Sequence, residues 1–291
     1  MISQSQDGYT LVTVASGAAS VRCLQTGETF HPVVGPVAEA ESLYVKQMRL
    51  RERVLAAGGR EFVIWDVGLG AGGNALTALR ALADTGGEVS IHSFDHTLGP
   101  LAFARGRVAE LGYPAGFEGA IDDLLNGGLA RFRVGKTEVR WTVTVADFPS
   151  FLASDAAEGL AKPHAIMFDA FSPARNPAMW TLPLFQRMRS LLDPDRECAM
   201  ATYSRSTLLR ASWLVAGFYV GPGEATGEKE ETTFASNSPR LLGTLLDRRW
   251  LARARRSTSA EPLVEAVYAQ KPLAEATWER LIAHPQFGGV W

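Results

Sequence analysis

From Phe62 onward, short apolar segments alternate with amphipathic ones, and this alternation constrains the fold more than any other feature of the sequence. The segments FVIWDV, VSIHSFD, VRWTVTV, HAIMFD and ECAMATY are typical of buried strands, and NALTALRALA, LAFARGRVAEL and LFQRMRSLL are typical of helices. Strands that alternate with helices predict a mainly parallel sheet covered on both faces. A ligand site is then expected beyond the carboxyl ends of the strands.

The two ends of the chain depart from this alternation. Residues 9–24 hold two β-branched runs around ASGA, which predict a hairpin. GFYV and ETTFAS follow each other with no helix between them, so the last strand is expected to enter antiparallel. We therefore predict three parts: a hairpin and lid extension (1–58), the main domain (59–236) and a basic, helical tail packed on the same domain (237–291).

Composition and charge narrow the class of protein. The chain has 291 residues, 46% of them hydrophobic and 21% charged, which is typical of a globular protein with a sizeable core. It lacks the roughly 18-residue apolar run that spans a bilayer, and its N-terminus predicts no secretion signal. Cys23 and Cys198 have no metal-binding spacing, so we expect reduced thiols, no metal and a cytoplasmic location. With a net charge of −2, the chain has no overall positive field that would attract nucleic acid, although local clusters of basic residues remain.

The segment WDVGLGAGGN, residues 65–74, contains the first candidate ligand-binding motif. Asp66 is followed by Gly68, Gly70 and Gly72 at alternate positions. Glycines between a strand and a helix permit a tight turn and a close approach of ligand to backbone, and the amides at the helix start attract polar oxygens. Nucleotide-binding and methyl-donor-binding loops share this pattern, so either NAD or S-adenosylmethionine could be the ligand of this loop.

Acidic residues close the strands that follow the glycine loop. Asp95 ends the second strand, 23 residues past Gly72, where a carboxylate can bind both ribose hydroxyls of a nucleoside. Asp147 follows the third strand and could accept from an adenine amino group. Asp169 ends the next strand and opens DAFSPARNPAMW, whose polar and aromatic side chains suit a planar acceptor carrying an amine.

These residues resemble a known family: the methyltransferase domain of the bacterial bifunctional enzyme that completes 5-methylaminomethyl-2-thiouridine at the tRNA wobble position, with its stand-alone relatives. The resemblance covers residues 27–235. Three family patterns match: the glycine loop with Asn74, the segment from Asp169 through Trp180, and GETFHPVVGPVAEA, which contains His31 and Glu39.

The resemblance implies a Rossmann-like class I S-adenosylmethionine-dependent methyltransferase fold with a mainly parallel seven-stranded sheet and helices on both faces. It implies S-adenosylmethionine as cofactor, S-adenosylhomocysteine as product and Asp169 as the catalytic residue. The residues expected at the cofactor are Asp66, Gly68, Gly70, Gly72, Asn74, Asp95, Asp147, His31 and Glu39. A flavin-dependent oxidase domain is not expected, because no second glycine fingerprint is present. The acceptor would then be an aminomethyluridine made by other enzymes.

The expected partner is tRNA, whose wobble uridine would be extruded from the anticodon loop to reach the site. The candidate substrate-binding residues are Phe171, Pro173, Asn176, Trp180, Lys229 and Glu230. The segment DRRWLARARR carries five arginines and is the best local candidate for phosphate contacts.

Other functions remain open on the sequence. Methylation of a small amine, or aminopropyl transfer, would use the same fold, glycine loop and strand-end acids. A catalytically silent RNA-binding homologue and a nicotinamide dehydrogenase are further alternatives. The sequence indicates neither the tRNA species nor the oligomeric state.

Overall fold

The computed structural model describes residues 8–225 and 231–288, which form two compact units. The first unit contains residues 8–147, 167–169 and 225, and the second contains residues 148–166, 170–224 and 231–288. Lys229 and Glu230, two of the predicted substrate-binding residues, lie outside the described residues. Because the units do not divide at residues 58 or 236, the predicted three-part organisation stays a prediction.

The first unit contains six complete strands and six α-helices within its described residues. The strands are β1 (Tyr9–Thr13), β2 (Ala19–Cys23), β3 (Phe62–Val67), β4 (Glu88–Asp95), β5 (Leu129–Val134) and β6 (Thr137–Val145). The helices are α1 (Pro36–Ala40), α2 (Leu50–Ala56), α3 (Gly73–Leu82), α4 (Gly99–Arg105), α5 (Val108–Leu111) and α6 (Glu118–Gly127), with a π-helical turn at Glu41–Lys46. Strand β7 (Ala165–Phe168) is divided between the two units.

The sheet of the first unit runs in the order β5-β6-β4-β3, followed by the end of β7. Strands β3 and β4 pair in parallel, as do β4 and β6. Every residue of β3 is buried, and Trp65 meets Phe94 of β4 edge to face at 5.7 Å between ring centroids. Burial on both faces explains why β3 is apolar throughout rather than alternating. The carboxyl ends of β3 and β4 therefore lie side by side.

Two elements of the first unit were not expected from the sequence. Strand β5 pairs antiparallel with β6 through a turn at Gly135, whose φ is 55°. Its sequence LARFRV has two exposed arginines, so it does not show the apolar run of a buried strand. Helix α6 was also missed, and the expected helix over LAFARGRVAEL is broken after Arg105 into α4 and α5. Among the described residues, the larger sheet has eight strands when β5 is included. The predicted number of seven strands is therefore wrong by this one edge strand.

The second unit contains strands β8 (Ala199–Thr202), β9 (Tyr219–Gly223) and β10 (Thr232–Ser236). Its helices are α7 (Phe148–Ala153), α8 (Leu182–Leu191), α9 (Thr207–Val215), α10 (Arg248–Arg256) and α11 (Glu275–Ile282), with 3₁₀ turns at Asp155–Gly159, Pro177–Trp180, Pro239–Leu241 and Pro285–Phe287. The order is β7-β8-β10-β9. Strand β10 is antiparallel to both neighbours, which confirms the expected antiparallel ending.

The two ends of the chain are integrated into their units. Strands β1 and β2 pair antiparallel, so the N-terminal hairpin is confirmed. The Gln286 side chain bonds the N–H and C=O of Val220 and the C=O of Leu246, and these contacts fix the tail within the second unit.

Cys23 and Cys198 are buried free thiols, as expected. Within the described part of the chain, a helix long and apolar enough to cross a bilayer is absent.

Candidate active site

The glycine loop joins β3 to α3 in a conformation that needs its three alternate glycines. Gly68, Gly70 and Gly72 have φ of 93°, 52° and 81°, in the left-handed region that other residues rarely adopt. The N–H groups of Gly68 and Leu69 both donate to the C=O of Phe94, at 3.0 and 3.2 Å, which fastens the loop to the end of β4. The turn between strand and helix predicted for residues 65–74 is therefore present.

Asp95 lies against the glycine loop, as its position after β4 predicted. Its Oδ2 accepts from the N–H of Gly70 at 2.8 Å, and its Oδ1 accepts from the N–H of His96 at 2.7 Å. Oδ1 also accepts from the N–H of Thr97 at 3.3 Å and lies 3.0 Å from Nδ1 of His96, so the acceptor position left for a ligand hydroxyl is on Oδ2. The ribose-binding role of Asp95 stays a prediction. Asp147 is exposed, two residues past the end of β6, and its adenine-binding role likewise stays a prediction.

Asp66 is a fully buried carboxyl at the end of β3. Ser93 donates to its Oδ2 at 2.7 Å, and Trp141 donates to the Ser93 hydroxyl at 2.8 Å, so a buried chain of hydrogen bonds fixes the carboxyl. Burial is the largest influence on its pKa, and the nearby charges of Asp169 and Asp95 act in the same direction. The pKa of Asp66 is consequently raised to about 7. A group with this pKa changes its charge within the neutral range.

Asn74 connects the start of α3 to the carboxylate of Asp169. Its Nδ2 donates to Asp169 Oδ2 at 2.7 Å, and the backbone N–H of Asp169 donates to the C=O of Val67 at 2.9 Å. Asp169 is thus held beside the glycine loop by one side-chain and one backbone bond. The structure brings together two residues that are 95 positions apart in the chain.

His31 lies between two carboxylates. Its Nδ1 is 3.8 Å from Glu39 Oε1 and its Nε2 is 3.8 Å from Asp169 Oδ2. Burial by itself lowers the pKa of His31, but the adjacent carboxylate of Glu39 and the charges of Asp169 and Asp66 outweigh it, so the pKa is raised. The backbone of His31 has a φ of 51°, unusual for a residue other than glycine. Such strain is kept only where surrounding contacts fix the conformation.

The segment 27–40, which contains His31 and Glu39, packs against the glycine loop. A Cβ added at Gly70 would lie 3.5 Å from the Phe30 ring, and one added at Gly73 would lie 2.8 Å from Cβ of Pro36. The two glycines therefore permit a close approach of this segment to the loop. Phe30 was not expected at the site, and its apolar ring gave no signal in the sequence. Whether the segment moves as a lid stays a prediction.

The remaining predicted substrate-binding residues lie in the second unit. Trp180 is fully buried, and its Nε1 donates to the C=O of Phe171 at 2.7 Å. Phe171 and Pro173 are partly exposed, and Asn176 donates its backbone N–H to the C=O of Ser172 at 2.9 Å. These bonds fold the DAFSPARNPAMW segment on itself. Stacking of Phe171 and Trp180 on a base stays a prediction, and the burial of Trp180 supports a packing role for that residue.

Comparisons with known proteins identify the domain. The sequence model of a family described as S-adenosyl-L-methionine-dependent methyltransferase matches residues 123–238. The structure matches that of MnmC2 from Aquifex aeolicus, with a TM-score of 0.68 and 23% identity over 95% of this chain and 84% of that one, so the fold is shared. Residues 123–238 thus carry the sequence pattern of an S-adenosylmethionine-dependent methyltransferase. The predicted class I fold and the predicted cofactor are therefore confirmed.

Curated relatives match a larger part of the chain than this family model does. The chain is 28% identical over 253 residues to the tRNA 5-methylaminomethyl-2-thiouridine biosynthesis bifunctional protein MnmC of Methylibium petroleiphilum, covering 82% of this chain and 36% of that protein. It is 30% identical over 207 residues to the protein of the same name from Pseudomonas fluorescens, covering 66% of this chain and 30% of that protein. The chain thus spans about a third of the length of the curated relatives it matches.

Proposed function

We propose that the chain transfers a methyl group from S-adenosylmethionine to the primary amine of 5-aminomethyluridine, with or without a 2-thio group, at the wobble position of tRNA. The observation that carries the proposal is the Asp169 carboxylate. It is bonded to Asn74, faced by His31 and fixed at the edge of the glycine loop. The names of the relatives support tRNA as the substrate.

The residues at the glycine loop fit the methyl donor. Asp66 Oδ1 and Asn74 Oδ1 are buried and have no hydrogen-bond partner within residues 8–225 and 231–288. Buried polar atoms are nearly always bonded, so these two acceptors point to a ligand that donates. The donor carries an ammonium group with three N–H bonds and a sulfonium cation, and three buried or nearly buried carboxylates, Asp66, Asp95 and Asp169, lie at this edge. We assign Asp66 and Asn74 to the ammonium and Asp95 to the ribose.

The reaction would need alignment and one proton acceptor rather than a covalent intermediate. When bound, the donor supplies an electrophilic methyl on a positively charged sulfur. Asp169 takes a proton from the substrate ammonium, so that the nitrogen lone pair can attack the methyl carbon. The carbon–sulfur bond breaks with its electron pair on sulfur, and the nitrogen becomes a secondary ammonium. Asn74 and His31 keep the Asp169 carboxylate oriented.

The acceptor base would be held by the segment that follows Asp169. Phe171 is partly exposed and is the candidate to stack on the extruded uracil. The indole N–H of Trp180 donates to the C=O of Phe171 and so holds the backbone of Phe171 in place. In this scheme Pro173 and Asn176 shape the turn that presents Phe171.

The decisive experiment uses the full chain with labelled S-adenosylmethionine and tRNA that lacks the final wobble methyl. After digestion, the label is expected in 5-methylaminomethyluridine or its 2-thio form.

The Asp169→Ala variant should bind S-adenosylhomocysteine within about tenfold of the wild type but lose roughly 10²-fold or more in turnover, because the loss of a general base costs that much.

The matched control is Asp123→Ala, which removes an exposed carboxylate from α6 of the same unit. It should keep both cofactor affinity and turnover. Unchanged turnover in Asp169→Ala would remove the catalytic assignment of Asp169. Label on free amines but not on tRNA would instead show a small-molecule methyltransferase.

A further inference from the structure

Helix α10 in the second unit presents three arginines on one exposed face. Arg249, Arg253 and Arg256 are separated by four and then three positions, so they follow one side of an α-helix. All three are exposed, whereas Trp250 and Leu251 on the other side are buried. We call Arg249, Arg253 and Arg256 the arginine face.

The other two arginines of α10 differ, because they are engaged with neighbouring residues. Arg248 donates to the C=O of Phe287 at 3.0 Å. Arg255 pairs with Glu275 at 2.5 Å and lies over the Trp278 ring, 5.0 Å from its centroid. In contrast, within residues 8–225 and 231–288 the side chains of the arginine face take part in no ion pair or side-chain hydrogen bond. Their guanidinium groups are available to an external anion.

The arginines of the arginine face have opposing effects on their own helix. Like charges four positions apart, as in Arg249 and Arg253, repel each other on a helix. Arg249 lies in the first turn, where the helix dipole disfavours a cation, whereas Arg253 and Arg256 lie in the last turn, where the dipole favours one. The carboxylate of Asp247 accepts from the backbone N–H of Trp250 at 2.9 Å and caps the helix rather than neutralising Arg249. An anion bound across the arginine face would reduce the repulsion between Arg249 and Arg253.

The surface over the arginine face is concave. Asp247, Arg249, Ala252, Arg253 and Arg256 line an open depression of about 500 Å³. The small Ala252 leaves room between the longer side chains. Because an α-helix rises about 1.5 Å per residue, Arg249 and Arg256 are about 10.5 Å apart along the axis. This distance is long enough for the three guanidinium groups to contact more than one phosphate of an RNA strand rather than a single anion.

We propose that the arginine face binds the phosphate backbone of the RNA substrate, an inference that rests on the proposed function. Guanidinium groups recognise phosphate through paired N–H bonds, and three of them in a row suit a polyanion rather than a single small anion. The net charge of the chain is −2, so this local cluster, and not the overall field, would supply the attraction.

The test compares tRNA binding by the wild type and by the triple variant Arg249→Gln, Arg253→Gln, Arg256→Gln in the full chain. Fluorescence anisotropy with labelled tRNA gives the dissociation constant at several salt concentrations. Each lost phosphate contact lowers the slope of log affinity against log salt by about 1, so the slope should fall by about 3 and the affinity at low salt by roughly tenfold or more. Affinity for S-adenosylhomocysteine and the melting temperature should stay unchanged, which verifies that the variant folds.

The matched control replaces three exposed arginines of the β5–β6 hairpin with glutamine. These residues are Arg131, Arg133 and Arg140. The control removes the same charge and should keep the wild-type slope. Equal slopes in the wild type and the arginine-face variant would overturn the inference, as would an equal loss in both triple variants. A wild type that binds no tRNA would overturn the proposed function as well, which separates the two failures.

Discussion

Asp66 is a buried carboxyl whose ionisation links the site to the stability of the chain. Its pKa in the folded chain is about 7, above the ordinary 3.8, so the folded chain keeps a proton that the unfolded chain has already lost. The stabilising contribution of Asp66 is therefore full below about pH 4 and is lost as the pH rises through about 7.

We expect the Asp66→Asn variant to lose much of this pH dependence. The amide does not titrate, and its oxygen can still accept from Ser93. From about pH 5 to about pH 7, the free energy of unfolding of the wild type should fall by about 2 kcal/mol relative to the variant. Urea denaturation across this range measures the difference. Asp195→Asn, at an exposed carboxylate, is the control and should retain the wild-type profile. Parallel profiles for wild type and Asp66→Asn would contradict the raised pKa.

Packing of helix α1 on the start of α3 explains how the 27–40 segment is placed over the glycine loop. Gly73 is the first residue of α3, and a Cβ there would lie 2.8 Å from Cβ of Pro36, a ring that cannot turn away. The Gly73→Ala substitution should therefore destabilise the chain by about 1–3 kcal/mol through overpacking and weaken S-adenosylhomocysteine binding. Denaturation midpoints and calorimetric titration measure the two effects.

Gly119→Ala in α6 is the matched control for Gly73→Ala. Both glycines lie near the start of a helix, but a Cβ at Gly119 would meet no atom within 4 Å. This change should raise stability by about 0.5–1 kcal/mol, because alanine favours the helix. If both substitutions shifted stability in the same direction, the packing of α1 on α3 would not be the cause.

At the scale of the whole molecule, the donor site is expected to couple ligand binding to unfolding. All the described residues that we assign to the donor lie in the first unit. A ligand that binds only the folded chain, at about 100 times its dissociation constant, stabilises it by about 2.7 kcal/mol. S-adenosylhomocysteine should therefore raise the melting temperature by roughly 5 °C or more, whereas NADH at the same concentration should not. Differential scanning calorimetry with each ligand distinguishes the two, and a shift with NADH alone would contradict the donor assignment.

The sequence by itself determined the order of the main strands and helices and the approximate place of the donor site. The hydrophobic periodicity and the composition of each segment predicted seven of the eight strands of the larger sheet, because buried parallel strands are recognisable as apolar runs. The carboxyl ends of parallel strands share one edge, so acids that close successive strands were expected to meet there. Asp95 beside Gly70 is the direct example. Edge strand β5 was not predicted, because two arginines interrupt its apolar run.

Only the tertiary structure decided which side chains meet and which charges they carry. His31 reaches Asp169 across 138 positions, and Asn74 reaches it across 95, and neither local pattern nor propensity specifies such contacts. The raised pKa of Asp66 follows from burial and from acids brought close by folding. Of five arginines that look alike in sequence, folding engages Arg248 and Arg255 and leaves the arginine face exposed. Contact, burial and charge coupling act through space, and for this reason they are read from the fold rather than from the order of residues.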